Sequence, residues 1–336
     1  MKILVTGGGG FLGSVLVRRL RGEGYAVVAY QRRPHPDLEA EGVEVRQGSL
    51  LDPGALRRAL AGCDAVIHTA ARAGVWGPRH EYFQTNYTGT VYLCETREAA
   101  WIGKLVHCST PSVVFNRESH EGADESLPYG REWLCHYAES KALAEAHVLE
   151  WGKSGKGRVI ALRPHLIWGK GDPHLLPKVI ERSRSGRLRI VGDGRNRVDI
   201  TRVENAAEAH LLALKALGRD TAVNRAYFIS QGEPVVLWDW INSLLARIGV
   251  PVLEKRISLP AAYRVGAVCE GLWKLARRRE VPPMTRFVAL ELAKSHWFSI
   301  EAARRELGYR PETYPTEDGL DLYARAWRER QRPLTC

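Results

Sequence analysis

The sequence predicts an α/β protein built around a doubly wound parallel β-sheet, followed by a smaller mixed α/β lid. Three observations support this fold class. Short apolar runs alternate with longer helical patterns through the first half of the 336 residues. Most of these runs are continuously apolar, which is typical of strands buried on both faces of a parallel sheet. A cluster of glycines directly follows the first run, as expected for a tight turn between a strand and a helix.

The strands of this sheet are predicted in chain order. The candidates are Lys2–Thr6, Ala26–Tyr30, Val43–Gln47, Ala65–His68, Lys104–His107 and Val159–Leu162. A helix is predicted over Phe11–Arg21, and Gly22 and Gly24 supply its stop signal. Repeated strand–helix units of this kind imply a doubly wound sheet.

The domain organisation is predicted from a change in pattern after Leu162. Proline and glycine become frequent there and the strands shorten. We expect one domain over residues 1–163, to which residues 196–224 return through a helix at Val203–Leu214. Residues 164–195 and 225–336 would form the second, smaller domain.

Composition narrows the class of protein. No apolar run reaches the ~18 residues of a membrane-spanning helix, and the N-terminus "MKILVTGGGG" does not look like a signal peptide. The six cysteines (Cys63, Cys94, Cys108, Cys135, Cys269 and Cys336) show no metal-site spacing. We therefore expect no metal, and reduced thiols in a cytoplasmic protein. The net charge of +11 comes without any nucleic-acid-binding signature, so we expect no nucleic-acid partner.

The glycine turn predicts a dinucleotide site. Gly7, Gly10 and Gly13 form a GxxGxxG pattern between a predicted strand and a predicted helix. Glycine permits the tight turn and close approach of the backbone to a pyrophosphate, and the helix N-terminus attracts that anion. The first domain is therefore predicted to be a Rossmann-type dinucleotide-binding domain.

The end of the second strand indicates which dinucleotide is preferred. An acidic residue there would bind the ribose 2′-hydroxyl of NAD, but this sequence has Gln31, Arg32 and Arg33. Two guanidiniums can bind a 2′-phosphate, so we expect NADP(H), with NAD(H) as the alternative. Two solvated surface arginines are the competing interpretation.

A tyrosine and a lysine lie four residues apart in the stretch "CHYAESKALAEAHV". On a helix, Tyr137 and Lys141 share one face, and an ammonium group is expected to lower the pKa of a nearby phenol. Such a phenol can exchange a proton with a carbonyl or alcohol while the nicotinamide carries hydride. Ser109 and Thr110 follow the fifth strand and could stabilise the developing charge on the substrate oxygen.

Five motifs in this order resemble the extended short-chain dehydrogenases/reductases, in particular the 3β-hydroxysteroid dehydrogenase-like branch. They are "TGGGGFLG", "NYTGT", "STPSVVF", "HYAESK" and "LRPHLIWGKGD". The resemblance implies an enzyme with Thr110, Tyr137 and Lys141 as catalytic residues and Ser109 as the fallback for Thr110. It further implies cofactor contacts that the glycine and arginine patterns do not give: Phe11, Leu12, Ser49, Leu50, Ala70, Tyr137, Lys141 and Pro164. A homodimer is typical of the resemblance.

The substrate is expected to be large and apolar. The chain resembles bacterial reductases of 2-alkyl-3-oxoalkanoic acids in three segments: "STPSVV", "HYAESKALAEA" and the run from Leu162 to Asp199. It is also similar to sterol-4α-carboxylate 3-dehydrogenases. An apolar pocket for this substrate is expected in the second domain, which is predicted to bind it. Its wall could be formed by Val75, Trp76, Trp168 and the Leu253–Leu275 region. Cations that could meet a carboxylate are Arg72, Arg79 and His165.

Other classes of function are ranked lower. Nucleotide-sugar epimerases and dehydratases share the fold, but Val198 here precedes Asp199 where those enzymes usually have arginine. A non-catalytic cofactor sensor would not need Thr110, Tyr137 and Lys141 together. The segment Ile257–Arg279 mixes apolar and basic residues. Two interpretations are possible: a helix in peripheral contact with a membrane, or a solvated helix face.

Overall fold

The computed structural model describes residues 1–331. Its strands are β1 (Lys2–Thr6), β2 (Ala26–Gln31), β3 (Glu44–Gln47), β4 (Ala65–His68), β5 (Lys104–Cys108), β6 (His120–Ala123), β7 (Arg158–Pro164), β8 (Ile167–Trp168), β9 (Ile190–Val191), β10 (Arg197–Val198), β11 (Thr201–Arg202), β12 (Arg225–Ile229), β13 (Val235–Val236), β14 (Arg256–Ile257) and β15 (His296–Phe298). Cys336 and the end of the predicted range 225–336 lie outside the described residues.

The α-helices are α1 (Phe11–Gly22), α2 (Pro36–Ala40), α3 (Pro53–Leu60), α4 (Arg79–Tyr82), α5 (Gly89–Ala99), α6 (His136–Trp151), α7 (Leu175–Arg184), α8 (Val203–Ala216), α9 (Leu237–Arg247), α10 (Leu259–Leu275), α11 (Arg286–Glu291) and α12 (Thr316–Gln331). Short π-helical or 3₁₀ turns occur at Phe83–Thr88, Pro111–Val114, Gly152–Lys156, Asp220–Ala222, Ala303–Leu307 and Pro311–Thr313. Among residues 1–331, no helix combines the length and apolar character needed to cross a membrane.

The central sheet confirms the predicted fold class. Its seven strands run in the order β12-β7-β5-β4-β1-β2-β3, and each neighbouring pair is parallel. Successive residues of β1 enter different cores: Ile3 and Val5 pack towards α1 and α8, whereas Leu4 packs towards α3 and α5. Burial on both faces explains why the strand is continuously apolar.

The helix predicted at Val203–Leu214 returns to this sheet as α8. It packs against α1, and the contact is reinforced by an ion pair of 2.6 Å between Arg19 and Glu208. A second pair of 2.6 Å joins Lys215 to Glu23. The last strand of the sheet, β12, pairs with β7 although its residues fall in the range assigned above to the smaller domain.

The smaller part of the molecule surrounds a separate apolar core. Its members come mainly from α7, α9 and α12 and from the short strands β8, β9 and β10, and they include Trp168, Trp238 and Trp240. A second sheet has the order β13-β10-β15-β6, and two-stranded pairs join β11 to β8 and β14 to β9. These elements lie beyond the carboxyl end of β7, the edge at which open α/β sheets bind ligands.

Candidate active site

The glycine turn after β1 is tightly packed. Gly7 has φ of 71°, and a Cβ atom there would approach the Ala70 Cα to 2.9 Å. A Cβ atom at Gly13 would overlap the carbonyl oxygen of Gly7. Because Gly10 begins α1 without a side-chain cap, the first N–H groups of that helix are available to an anion.

A cavity of about 520 Å³ opens beside this turn. Its wall contains seven of the predicted cofactor residues: Gly7, Gly10, Arg32, Arg33, Ser49, Leu50 and Ala70. The other predicted residues lie around it. Phe11 lines an adjoining cavity, Leu12 and Gly13 are buried beneath the turn, and Pro164 ends β7.

The shape and chemistry of this cavity fit a dinucleotide. The glycines leave space that side chains would fill, and no carboxylate from the described part of the chain lines the wall. The guanidiniums of Arg32 and Arg33 are exposed. Gln31 donates a hydrogen bond of 3.0 Å from Nε2 to the Arg33 carbonyl oxygen, which holds the arginine loop. Gln31, His35 and Thr85 also line the wall, and the sequence analysis did not assign them.

The predicted catalytic residues meet at the end of β5. Tyr137 and Lys141 lie in the first turns of α6, and the Lys141 Nζ donates a hydrogen bond of 2.6 Å to the Cys108 carbonyl oxygen. Thr110 begins the turn after β5, where its Oγ1 accepts from the Ser112 N–H at 3.3 Å. The Ser109 hydroxyl is buried and has no hydrogen-bond partner within residues 1–331.

The pKa of Tyr137 is shifted in the direction opposite to the one expected from the sequence. Burial raises the pKa of Tyr137 above its usual value, while the hydroxyl of the nearby Thr110 acts in the opposite direction. The net shift is therefore opposite to the expected lowering, because burial dominates. Burial also lowers the pKa of Lys141 itself. The Tyr137 phenol is protonated at neutral pH, as an unperturbed tyrosine is, and a proton donor requires this form.

Buried polar contacts that the sequence analysis did not predict hold α6 in place. Asn86 lies in the motif "NYTGT"; its side-chain Nδ2 donates to the Ser140 hydroxyl at 3.0 Å, and its Oδ1 accepts from the Arg72 N–H at 2.7 Å. Glu145 on α6 pairs with Arg163 on β7 at 2.6 Å, with both side chains almost fully buried. The motif was visible in the sequence, but these partners depend on the tertiary fold.

A buried histidine also contacts the catalytic lysine. The Nε2 atom of His107 lies 3.2 Å from the Lys141 Nζ. Burial, followed by the charge of Lys141, lowers the pKa of His107 well below its usual value. An ammonium group can only donate, so a neutral His107 accepts through Nε2. This contact helps to fix the lysine beside Cys108.

A second cavity, of about 440 Å³, opens beside Cys135 and His136 at the start of α6. We call it the aromatic groove; it is lined by Val75, Trp76, Gly77, Pro78, Arg79, Tyr82, Trp133, Leu134, Cys135, His136, Glu270, Trp273, Lys274, Arg277, Arg278, Arg279 and Arg286. Val75, Leu134 and Cys135 also belong to the apolar cluster that packs around Tyr137. The groove therefore adjoins the catalytic tyrosine. The interpretation of Trp168 as pocket wall is wrong, since its side chain is fully buried against Trp240.

The three candidate cations for a carboxylate lie in different surroundings. Arg79 lines the aromatic groove and pairs with Glu139 at 2.8 Å. Arg72 pairs with Glu81 at 2.7 Å. His165 lines a separate cavity of about 20 Å³, where its Nε2 lies 2.6 Å from the Nδ1 of His296.

Comparison with known proteins identifies the class of protein. Residues 4–261 match the 3-beta hydroxysteroid dehydrogenase/isomerase family. A 2-alkyl-3-oxoalkanoate reductase of Stenotrophomonas maltophilia (strain K279a) is 49% identical over 325 residues, which cover 95% of this chain and 97% of that protein. A decarboxylating sterol-4-alpha-carboxylate 3-dehydrogenase of Mus musculus is 31% identical over 315 residues, covering 92% and 86%.

Solved structures share the architecture. The crystal structure of gox2253 has a TM-score of 0.79 at 27% identity and covers 98% of each chain. UDP-glucuronic acid 4-epimerase from Bacillus cereus, in complex with NAD, has a TM-score of 0.76 at 22% identity and covers 99% of this chain and 100% of that one. At that identity the epimerase bears on the fold alone.

The chain belongs to the 3-beta hydroxysteroid dehydrogenase/isomerase family, which confirms the resemblance drawn from its motifs. It is an oxidoreductase of the extended short-chain dehydrogenase/reductase class, and its cofactor is a nicotinamide dinucleotide. The individual roles of the site residues stay predictions.

Proposed function

We propose that this protein reduces the keto group of a 2-alkyl-3-oxoalkanoic acid, with NADPH as the preferred cofactor. The observation that carries the proposal is a pair of cavities of different character, of which the second shares residues with the apolar cluster against which Tyr137 packs. One is the glycine-lined cavity beside Arg32 and Arg33, and the other is the aromatic groove. A dinucleotide fits the first, and a substrate with a large apolar body fits the second.

In the proposed mechanism, the bound nicotinamide supplies hydride to the substrate carbon. Tyr137 donates its phenolic proton to the substrate oxygen, and its raised pKa favours the protonated form that this step requires. The Thr110 hydroxyl donates a hydrogen bond to the same oxygen and stabilises the developing negative charge. Lys141, fixed by Cys108 and His107, would hold the nicotinamide ribose through its ammonium group.

Arg79 is the proposed partner of the substrate carboxylate. It is the one of the three candidate cations that lines the aromatic groove, and its side chain is 56% exposed. Arg72 does not line this groove, and His165 lines a different cavity beside His296. Arg79 would exchange its ion pair with Glu139 for the substrate carboxylate. A guanidinium that binds a carboxylate in two hydrogen bonds would orient the keto group relative to Tyr137.

The preference for NADPH rests on the arginine loop. Within residues 1–331 the guanidiniums of Arg32 and Arg33 take part in no ion pair, and they project from the wall of the cofactor cavity. They are therefore available to a 2′-phosphate, and no acidic neighbour in the wall would repel it.

The proposal extends to the assembly and the compartment. A homodimer formed through a helix pair is part of the proposal, and the exposed side chain of Leu143 makes α6 a candidate helix for that contact. A reducing, cytoplasmic location is supported by the free thiols of Cys63, Cys94, Cys108, Cys135 and Cys269. The substrate-binding role of residues 164–195 and 225–336 is likewise proposed, with α10 and α11 contributing to the aromatic groove.

A second candidate substrate is a 3β-hydroxysteroid or sterol-4-carboxylate. The 31% identity to the sterol-4-alpha-carboxylate 3-dehydrogenase supports it. The nucleotide-sugar alternative is disfavoured by Val198, which is buried and apolar at the position before Asp199 where those enzymes usually place a diphosphate-binding arginine.

The test is the rate of NADPH oxidation, followed by absorbance of the reduced nicotinamide. The panel contains a 2-alkyl-3-keto acid, a 3-ketosteroid with and without a 4-carboxylate, and a nucleotide sugar. We expect turnover of the keto acid, and we expect Arg79→Gln to raise KM for it while the affinity for NADPH stays constant. Turnover of the steroid alone would make the steroid the proposed substrate. Conversion of the nucleotide sugar alone to an epimer or a dehydrated product, followed by chromatography because it consumes no reduced nicotinamide, would overturn the proposal.

A further inference from the structure

Under the proposed function, on which the relay described here rests, each reduction removes one proton from Tyr137. The phenol must regain a proton from solvent before the next turnover. Two branches of hydrogen-bonding groups lead away from Tyr137. One passes through Lys141, which lies four residues further along α6, and the other passes through Thr110, which begins the turn after β5.

The branch behind Lys141 is closed among the described residues. The Lys141 Nζ lies 2.6 Å from the Cys108 carbonyl oxygen, which can only accept, and 3.2 Å from the His107 Nε2. The other ring nitrogen of His107, Nδ1, is buried and has no hydrogen-bond partner within residues 1–331. Asn86 provides no alternative, because both polar atoms of its side chain are engaged by protein groups. This branch therefore offers no hydrogen-bonded path to solvent within residues 1–331.

The branch through Thr110 leads to a small cavity. The Thr110 Oγ1 donates a hydrogen bond of 3.3 Å to the Ser112 Oγ, and Ser112 lines the same cavity of about 20 Å³ as His165. We call it the histidine cavity, and its polar wall contains Ser112, Glu118, His120, His165, Lys294 and His296. Two hydroxyl groups thus connect the active site to this cavity.

The ring of His120 presents an acceptor to the histidine cavity. Its Nε2 is buried and has no hydrogen-bond partner within residues 1–331, while the ring is also hydrogen-bonded to the backbone of Val114. Burial lowers the pKa of His120, which favours the neutral ring. A neutral imidazole that donates one N–H leaves its second nitrogen as an acceptor.

The ring of His165 presents a second acceptor. The His296 Nε2 lies 2.8 Å from the Glu291 carbonyl oxygen, so that nitrogen carries a proton. With both rings neutral, the His296 Nδ1 accepts from the His165 Nε2 at 2.6 Å, and the His165 Nδ1 is left as an acceptor. Burial lowers the pKa of His165 well below its usual value, which keeps this ring neutral. One backbone carbonyl thereby fixes the tautomers of both rings.

The histidine cavity suits one water molecule. Its volume of about 20 Å³ is enough for one water, which needs about two to four polar partners when buried. The Ser112 hydroxyl can donate to this water, while His120 and His165 accept from it. A water would also remove the cost of leaving the His120 Nε2 unpaired. Glu118 lines the same cavity and its side chain is 73% exposed, so the cavity reaches solvent there.

From these observations we propose that the histidine cavity binds one ordered water and that this water, Ser112 and Thr110 return a proton from solvent to Tyr137. The Tyr137 phenolate takes the proton of the Thr110 hydroxyl, Thr110 takes that of Ser112, and Ser112 takes one from the water. Solvent supplies the last proton at the rim of the cavity, so one proton enters and no other bond changes. His120 and His165 are positioning residues, because they hold the water.

The water is tested by diffraction, which requires no substrate. A crystal structure of the full chain should show a water within hydrogen-bond distance of the Ser112 Oγ and the His120 Nε2. His120→Gln can place an amide oxygen near the position of Nε2 and should retain the water, whereas His120→Leu should lose it. A dry cavity in the unmodified protein, or a water retained equally by both variants, would overturn the proposal.

The relay is tested by rapid mixing of the protein and excess NADPH with a 2-alkyl-3-keto acid. Tyr137 carries its proton at the start, so in Ser112→Ala the first turnover should keep its rate while later turnovers slow about tenfold. This is less than the about 10²–10⁴ of a direct proton donor, because solvent partly replaces the missing hydroxyl. Absorbance should show a burst of one NADPH oxidised for each site, and imidazole buffer should restore the later rate.

Ser112→Thr is the matched control, because it retains the hydroxyl, and both variants keep the backbone N–H that donates to Thr110. The control should behave as the unmodified protein does. Equal slowing of the first and later turnovers in Ser112→Ala would assign Ser112 a structural role and overturn the relay, as would an unchanged steady rate. If the unmodified protein oxidises no NADPH with the keto acid, the proposed function fails and the relay with it, whereas diffraction alone decides the water site.

Discussion

Replacing Arg32 and Arg33 should change cofactor selectivity without changing the chemistry. Both side chains are exposed at the rim of the cofactor cavity. Tyr137 does not line that cavity. A hydrogen bond to a charged group contributes about 1.5–3 kcal/mol, and we take the lower end because the site is open to solvent and ions. About 1.5 kcal/mol corresponds to roughly a tenfold change for each arginine.

The assay is kcat/KM for NADPH and for NADH at a saturating concentration of the keto acid. Arg32→Gln and Arg33→Gln should each lower the NADPH value about tenfold, and the double variant about a hundredfold, while the NADH values stay within about twofold. Arg57→Gln is the control, since this exposed arginine on α3 does not line the cavity. An unchanged ratio of NADPH to NADH in the double variant would refute the reasoning.

Three further predictions follow from the buried residues. Thr110→Ala should lower kcat about 10²-fold, because one donor to the developing oxyanion is lost, whereas Thr110→Ser should retain most of the rate. An unchanged kcat for the alanine variant would remove Thr110 from the mechanism. Glu145→Gln should lower the free energy of unfolding in urea by about 3–5 kcal/mol, because it leaves a buried arginine unpaired. The exposed control Glu41→Gln should lower it far less, because exposed ion pairs contribute little, and equal losses would contradict the assignment. Burial lowers the pKa of His68 to about 3 and of His210 to about 4, so the unfolded chain binds more protons than the folded one below pH ~6.5. The free energy of unfolding should therefore fall by up to about 1.4 kcal/mol per pH unit for each histidine between pH ~6.5 and ~4, and a flat or rising profile there would show that these histidines are accessible.

The sequence was sufficient to predict most of the central sheet. Strands such as Ala65–His68 are continuously apolar, and that pattern survives folding because both faces are covered by helices. The edge strand β12 was missed because Arg225–Ile229 follows a region rich in turns, so its pairing with β7 was recognised only in the tertiary structure. The glycine turn was predictable because Gly7 and Gly13 have no room for a side chain.

The positions of the catalytic residues were easier to predict than the pKa of Tyr137. Tyr137 and Lys141 share a helix, so their spacing alone places them together. The pKa of Tyr137 depends on how deeply the fold buries it, and this burial reverses the expected direction. The aromatic groove was only partly predictable, because its wall combines residues as distant in the chain as Trp76, Trp133 and Trp273.

The central claim is that Tyr137 donates the proton in ketone reduction. The most direct test is the rate of NADPH oxidation by a 2-alkyl-3-keto acid, measured for the unmodified protein and for Tyr137→Phe with the affinity for NADPH determined in parallel. The account predicts a loss of about 10²–10⁴ in kcat with NADPH affinity unchanged. Retention of the rate by Tyr137→Phe at unchanged NADPH affinity would contradict the account.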